Sequence, residues 1–224
     1  MSAGEGKTAQ GGGEKFREKF RLAFWLFLVA VLGFFTWRMA LITAAYWPVS
    51  RDVAFLRIKQ QYIGILHWEA AFWVHVAVSM IPLLAGFTQF AGWIRKGHPA
   101  VHRWMGKAYV VTVCLVTGPA SLIMALYANG GVTSRMAFAT LAVLWMGTTA
   151  LGWRLAMKRR WGAHREWMMR SYALTLSAIT LRIWKYVIVL AFAPPPMDTY
   201  RLVAWLGFVP NVLVVEWMIR RGWR

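Results

Sequence analysis

His-Arg-Trp-Met-Gly-Lys-Ala-Tyr-Val-Val-Thr-Val, residues 102–113, returns at 164–176 as His-Arg-Glu-Trp-Met-Met-Arg-Ser-Tyr-Ala-Leu-Thr-Leu. Each copy puts a histidine-arginine pair and a tryptophan-methionine pair at the head of a long apolar run. Apart from the inserted Glu166, the two copies keep the same order of residue types. The pattern predicts two membrane helices that start with the same chemistry at the same depth. Two readings follow from it. The histidines hold something between them, or they anchor two helices at one membrane face with their side chains reaching the headgroups.

Working outward, the rest of the chain belongs to the same membrane. Hydrophobic residues make up 59% of the 224, and eight acidic residues stand against 26 Lys and Arg. Several apolar runs reach the length needed to cross a bilayer. A net charge of +18 would suit nucleic acid if the cations formed one patch. They lie instead at the ends of the apolar runs, where topology signals belong, so a nucleic-acid partner is not expected. A lone cysteine, Cys114, sits inside an apolar run and leaves no disulfide framework or thiol metal site. It reads as a small core residue.

Six spans can be drawn, at 22–47, 65–93, 104–127, 136–157, 167–193 and 200–219. Turn chemistry separates them: Trp47-Pro48, Gly97-His98-Pro99, Asn129-Gly130-Gly131 and Pro194-Pro195-Pro196. Ahead of the first span, residues 1–21 are polar and Gly-rich and end in Lys15, Arg17, Lys19 and Arg21. The run beyond them is too long for a signal peptide, so a disordered tail should lead into a retained helix. The expected domains are thus a tail, 1–21, and a six-helix transmembrane domain, 22–224.

Counting cations orients the bundle. With the N-terminus inside, cytoplasmic segments carry 18 Lys and Arg: five in the tail, four in 94–108, six in 154–170 and three at the C-terminus. Outer segments carry five, namely Arg51, Arg57, Lys59, Arg135 and Arg201. That bias predicts a multi-pass membrane protein with both termini cytoplasmic. The two copies then open parallel helices, and the helix pairs three-four and five-six form a tandem repeat about an axis along the membrane normal.

Chemistry is expected at two levels. His102 and His164, at equal depth on parallel helices, can ligate one haem iron axially, with Arg103 and Arg165 pairing to its propionates. Interfacial anchoring remains open beside that reading. In the outer half, Arg38, Glu69, His75, Arg182 and Lys185 fall at comparable depths. They read either as a collected polar site for a quinone headgroup, a proton step or an anion, or as cations reaching outward while one of them pairs with Glu69. His98 reads as a solvated loop residue. Pro82 and Pro119, with Gly86 and Gly118 nearby, mark kinks and close packing. No phosphate-binding Gly loop, Cys-x-x-Cys, His-Glu-x-x-His or nucleophile elbow occurs, which argues against soluble-type enzyme chemistry.

With these residues placed, the chain resembles an uncharacterised bacterial membrane family, domain of unknown function 2306. The resemblance covers roughly 60–190 and rests on His67-Trp68 with His75, Gln89-Phe90, His102 through Tyr109, Leu144-Trp145 and above all His164 through Arg182. It implies the fold and a location in the bacterial inner membrane, and it carries no activity. Three functions stay open on the sequence. The first is a redox protein holding b-type haem or quinone. The second is an accessory or scaffold subunit packed in the bilayer against a larger membrane complex. The third is a small transporter using the outer cluster.

Overall fold

The computed structural model describes residues 23, 26–27, 29–47 and 49–222. The tail expected over 1–21 lies outside them. The chain separates into two units, 1–39 and 40–224, and everything discussed below as a site belongs to the second.

Helices account for all regular structure among the described residues. α1 is Val29–Ala44. After the loop, which carries helical turns at Ala54–Ile58 and Gln60–Tyr62, come α2 (Leu66–Val78), α3 (Met80–Phe90) and the short α4 (Gly92–Gly97). Then follow α5 (Pro99–Val111), a wide π turn (Thr112–Thr117) and α6 (Gly118–Leu126). The remainder comprises α7 (Val132–Met157), α8 (Trp161–Thr175), α9 (Ser177–Phe192), α10 (Pro196–Leu206) and α11 (Val209–Arg220).

Four continuous helical stretches are long and apolar enough to cross a bilayer: Leu66–Phe90, Pro99–Leu126, Val132–Met157 and Pro196–Arg220. The pair α8 and α9 makes a fifth if its 42° bend lies within one span. The sixth expected span, 22–47, falls partly outside the described residues, and α1 is a shorter apolar helix. Most breaks have a local cause. Pro82 has no N–H to return to Val78, and the chain steps at Ser79 between α2 and α3. Pro119 lies just inside α6, after the π turn, where a missing donor costs nothing.

Prolines also move the helix starts. Pro99 and Pro196 each stand at the first position of their helix, where a fixed φ favours initiation. α5 therefore begins at 99 rather than 104, and the last span at 196 rather than 200. α8 begins at Trp161, not 167. The correction matters, because it takes both histidines out of a boundary loop and into helical turns.

The repeat is visible in the bends as well as the sequence. α5 widens into the π turn three residues after Tyr109, at Thr112. The matching point in the second copy, three residues after Tyr172, is Thr175, where α8 ends at its bend. Both copies also place a cation over the tryptophan one turn before it: Lys107 Nζ lies 5.0 Å from the Trp104 ring centre, and the Arg170 guanidinium 4.8 Å from that of Trp167. The main core gathers Ala85, Tyr109, Val113, Ala137, Trp145, Leu174, Ala204 and Phe208 from α3, α5, the π turn, α7, α8, α10 and the turn after it. A second core of Tyr46, Leu56, Trp68, Phe72 and Val76 seals the loop over the start of α2.

Candidate functional site

His102 is the fourth residue of α5 and His164 the fourth of α8. Each closes the first turn of its helix, through N–H donated to His98 O at 3.2 Å and to Arg160 O at 2.8 Å. Their hydrogen bonding differs. His164 Nδ1 lies 2.8 Å from the carbonyl oxygen of Gly152 on α7. A carbonyl only accepts, so Nδ1 carries the proton and Nε2 presents a lone pair. His102 Nδ1 is buried and has no partner among the described residues. A buried nitrogen left open costs free energy unless something outside the fold meets it.

Neighbouring residues fix the backbone around these histidines. Gln89 Nε2 on α3 donates to His102 O at 3.1 Å. At Gly152, a Cβ would fall 2.6 Å from Met168 Sδ, so glycine lets α8 approach α7 at the carbonyl that His164 uses. Arg103 and Arg165 are exposed, free to meet an anionic group at this end. His98 is exposed in its loop, with Trp93 edge-on at 6.3 Å.

Seven residues deeper on each helix, about 10 Å at 1.5 Å per residue, lies a hydroxyl cluster. Tyr109 Oη sits 2.7 Å from Ser171 Oγ and 2.6 Å from Thr175 Oγ1. Trp145 Nε1 donates to Thr175 Oγ1 at 2.9 Å, and Thr149 Oγ1 lies 2.6 Å from Ser171 Oγ. The spacing of seven puts His102 above Tyr109 and His164 above Ser171, each pair on one helix face. Tyr172, the partner of Tyr109 in the repeat, faces elsewhere. Its ring fills the space where a Cβ on Gly86 would be, and its hydroxyl donates to Leu83 O at 3.2 Å. The hydroxyl cluster was not singled out from the sequence; the i, i+7 pairing of histidine with Tyr109 or Ser171 was the signal that could have found it.

The outer cluster is regrouped by the structure. Glu69 pairs with Arg51 of the loop, Oε1 to Nη2 at 2.8 Å, and accepts from Gly64 N–H at 3.2 Å. The expectation that it needs Arg38, Arg182 or Lys185 is corrected: the loop folds back over the start of α2 and delivers a nearer cation. Arg38 is exposed on α1, in the first unit, and Lys185 is exposed on α9. His75 Nδ1 lies 3.0 Å from Ser121 Oγ on α6, while Arg182 Nη1 donates to Ala178 O one turn back on α9.

Lys59 went unremarked as a single residue because it was counted only as an outer cation. It is 2% exposed. Its ammonium donates to Tyr127 O and, at 2.6 Å, to Asn129 Oδ1. The Phe55 and Tyr62 rings lie 5.6 and 4.8 Å away. Burial and then Arg135 push its pKa down to about 8.

Helices of membrane-spanning length, a repeated histidine-headed segment and an internal polar core define a multi-pass α-helical membrane protein. The family model described as a predicted membrane protein, DUF2306, matches residues 72–219, and the chain belongs to that family. No curated protein and no solved structure matches it.

Proposed function

We propose that this chain is a membrane redox protein that holds b-type haem between His102 and His164. The observation that carries the reading is the matched pair itself. Two imidazoles stand at the fourth position of repeated helices, one oriented by a backbone carbonyl and one with a buried open nitrogen. Iron-ligating histidines ordinarily give one ring N–H to a backbone carbonyl, which fixes the tautomer and raises the basicity of the other nitrogen. His164 and Gly152 have that relation.

Arg103 and Arg165 follow the histidines directly and would meet the propionates at the membrane surface. By the cation bias this end faces the cytoplasm, so the haem would lie in the inner half of a bacterial inner membrane. The hydroxyl cluster beneath it would form the floor of the site. Bound there, haem would supply one-electron chemistry; the chain supplies the ligands, their orientation and the apolar walls.

The iron content of the purified full chain tests the proposal. Protein made with haem available should carry about one iron and one extractable haem per chain. Iron-free, haem-free protein that stays folded in the membrane would favour the anchoring role, and with it the accessory-subunit reading.

A further inference from the structure

The two repeat copies carry the same cation-aromatic pair and complete it differently. In the second copy Arg170 lies over Trp167 and donates from Nη2 to Glu216 Oε2 at 3.0 Å, so α11 supplies the counter-charge. In the first copy Lys107 takes the place of Arg170, over Trp104. Among the described residues no carboxylate lies within ion-pairing distance of Lys107. The lysine is exposed, and Trp104 is 71% exposed. We propose that this face of α5 binds an anionic phospholipid, whose phosphate meets Lys107 as Glu216 meets Arg170.

The face lies apart from the histidine pair. Lys107 stands two residues before Tyr109, about 200° around a helix of 3.6 residues per turn, so it sits opposite the hydroxyl cluster. His102, seven residues before Tyr109, shares the Tyr109 side. Apolar side chains continue the outward face along the span Pro99–Leu126. Val111, four residues after Lys107, is 51% exposed, and Leu115, four further on in the π turn, is 72% exposed. A cation at the head of an aliphatic line matches one phospholipid, with the phosphate at Lys107 and an acyl chain beside Val111 and Leu115.

Chemistry narrows the choice of lipid. A free anion meets the lysine and gains nothing from the aliphatic line. Phosphatidylcholine fits the line but brings its own cation beside the phosphate, which opposes the lysine. Phosphatidylglycerol satisfies both, since its headgroup carries a net negative charge that a cation near the membrane surface attracts. Trp104 suits the same level, because an indole ring is at home among headgroups and its face steadies the ammonium.

The experiment reads Trp104 itself. The full chain is reconstituted in dioleoylphosphatidylcholine vesicles that contain a minor fraction of phosphatidylglycerol or phosphatidylcholine with brominated acyl chains, which quench tryptophans they touch. Each protein is compared with its own Trp104→Phe version, so the difference isolates Trp104 from the other tryptophans. Brominated phosphatidylglycerol should quench Trp104 with an apparent affinity about fivefold above that of brominated phosphatidylcholine, the factor one cation contributes at an anionic surface. Lys107→Gln should remove that preference, and Lys107→Arg should keep it. Lys158→Gln, which removes an exposed cation after α7, should also keep it. Thermal unfolding of each variant in the vesicles confirms that it is folded. Equal quenching of wild type by the two lipids overturns the proposal, as does a preference that survives Lys107→Gln or that Lys158→Gln lowers as far. Absence of quenching by either lipid overturns it too, since another chain then covers the face. Loss of the preference in inorganic phosphate, but not in chloride of the same ionic strength, would make this a simple anion site and overturn the lipid assignment. Haem content enters none of these readings, so haem-free protein that shows the preference supports the lipid site and removes only the haem.

Discussion

The two ends of the bundle treat their polar groups differently. Beside the loop, Lys59 is enclosed by a carbonyl, an amide and two rings, Glu69 is closed by Arg51 and Gly64, and His67 Nε2 reaches the Tyr127 hydroxyl at 2.5 Å. Their hydrogen bonds are made within the chain. At the opposite end, His102 Nδ1 has no partner among the described residues, and His164 meets the fold through Nδ1. Closed polar groups hold a fold together, and open ones wait for something else. The contrast separates packing from site with no appeal to residue type, since histidines occur at both ends.

Substitution should break the symmetry in opposite directions. Lys59→Ala removes a buried stem and strands Tyr127 O and Asn129, so it should cost about 2–4 kcal/mol of stability while leaving any bound cofactor unchanged. Thermal unfolding in detergent, with cofactor content measured alongside, checks both halves. His102→Ala should be nearly neutral in stability, because its Nδ1 has no partner to lose, and should remove the cofactor. Equal losses of stability from the two substitutions would erase the distinction between the ends.

Tyr109→Phe probes the floor between them. It leaves Ser171 and Thr175 each short of one partner inside the bundle, at a cost of about 1–2 kcal/mol. Tyr172→Phe removes one bond to a backbone carbonyl and should cost less, about 0.5–1 kcal/mol. Denaturation of the two variants side by side ranks them. The reverse order would mean that the hydroxyl cluster is not a cooperative unit.

Loop-end stability should also depend on pH in a stated direction. Lys59 titrates near 8 in the folded chain, against an ordinary 10.5. Between those values the unfolded chain binds the extra proton, so stability rises as pH climbs from about 8 to 10.5. Lys59→Met should flatten that slope, which unfolding curves across the interval would show. The smallest effect belongs to Glu69→Gln. Its partner Arg51 is 64% exposed, so the pair contributes at most about 1 kcal/mol. A large loss of stability in that variant would contradict the surface character of the pair.

Much of the architecture was legible because it follows from apolar run length and punctuation. The span ends near Leu126 and Phe192 fall where turn residues place them. The repeat was legible from order alone, and with it the equivalence of His102 and His164. What the sequence withheld was pairing across distance. Arg51 and Glu69 are 18 residues apart, joined by a loop whose fold-back no local pattern encodes. Lys59 and Asn129 are 70 apart, and the lysine looked like one more outer cation. Helix starts fall earlier than the apolar runs place them where, as at Pro99, a proline stands at the first helical position and begins a helix.

The account turns on whether the open end holds a redox group, and absorption spectroscopy asks this most directly. Reduced-minus-oxidised spectra should be recorded on wild type, His102→Ala and His164→Ala, purified together and shown to be folded. The account predicts a haem difference spectrum in wild type and none in either variant. A wild-type protein without that signal, or a variant that retains it, would contradict the assignment of His102 and His164 as the ligand pair.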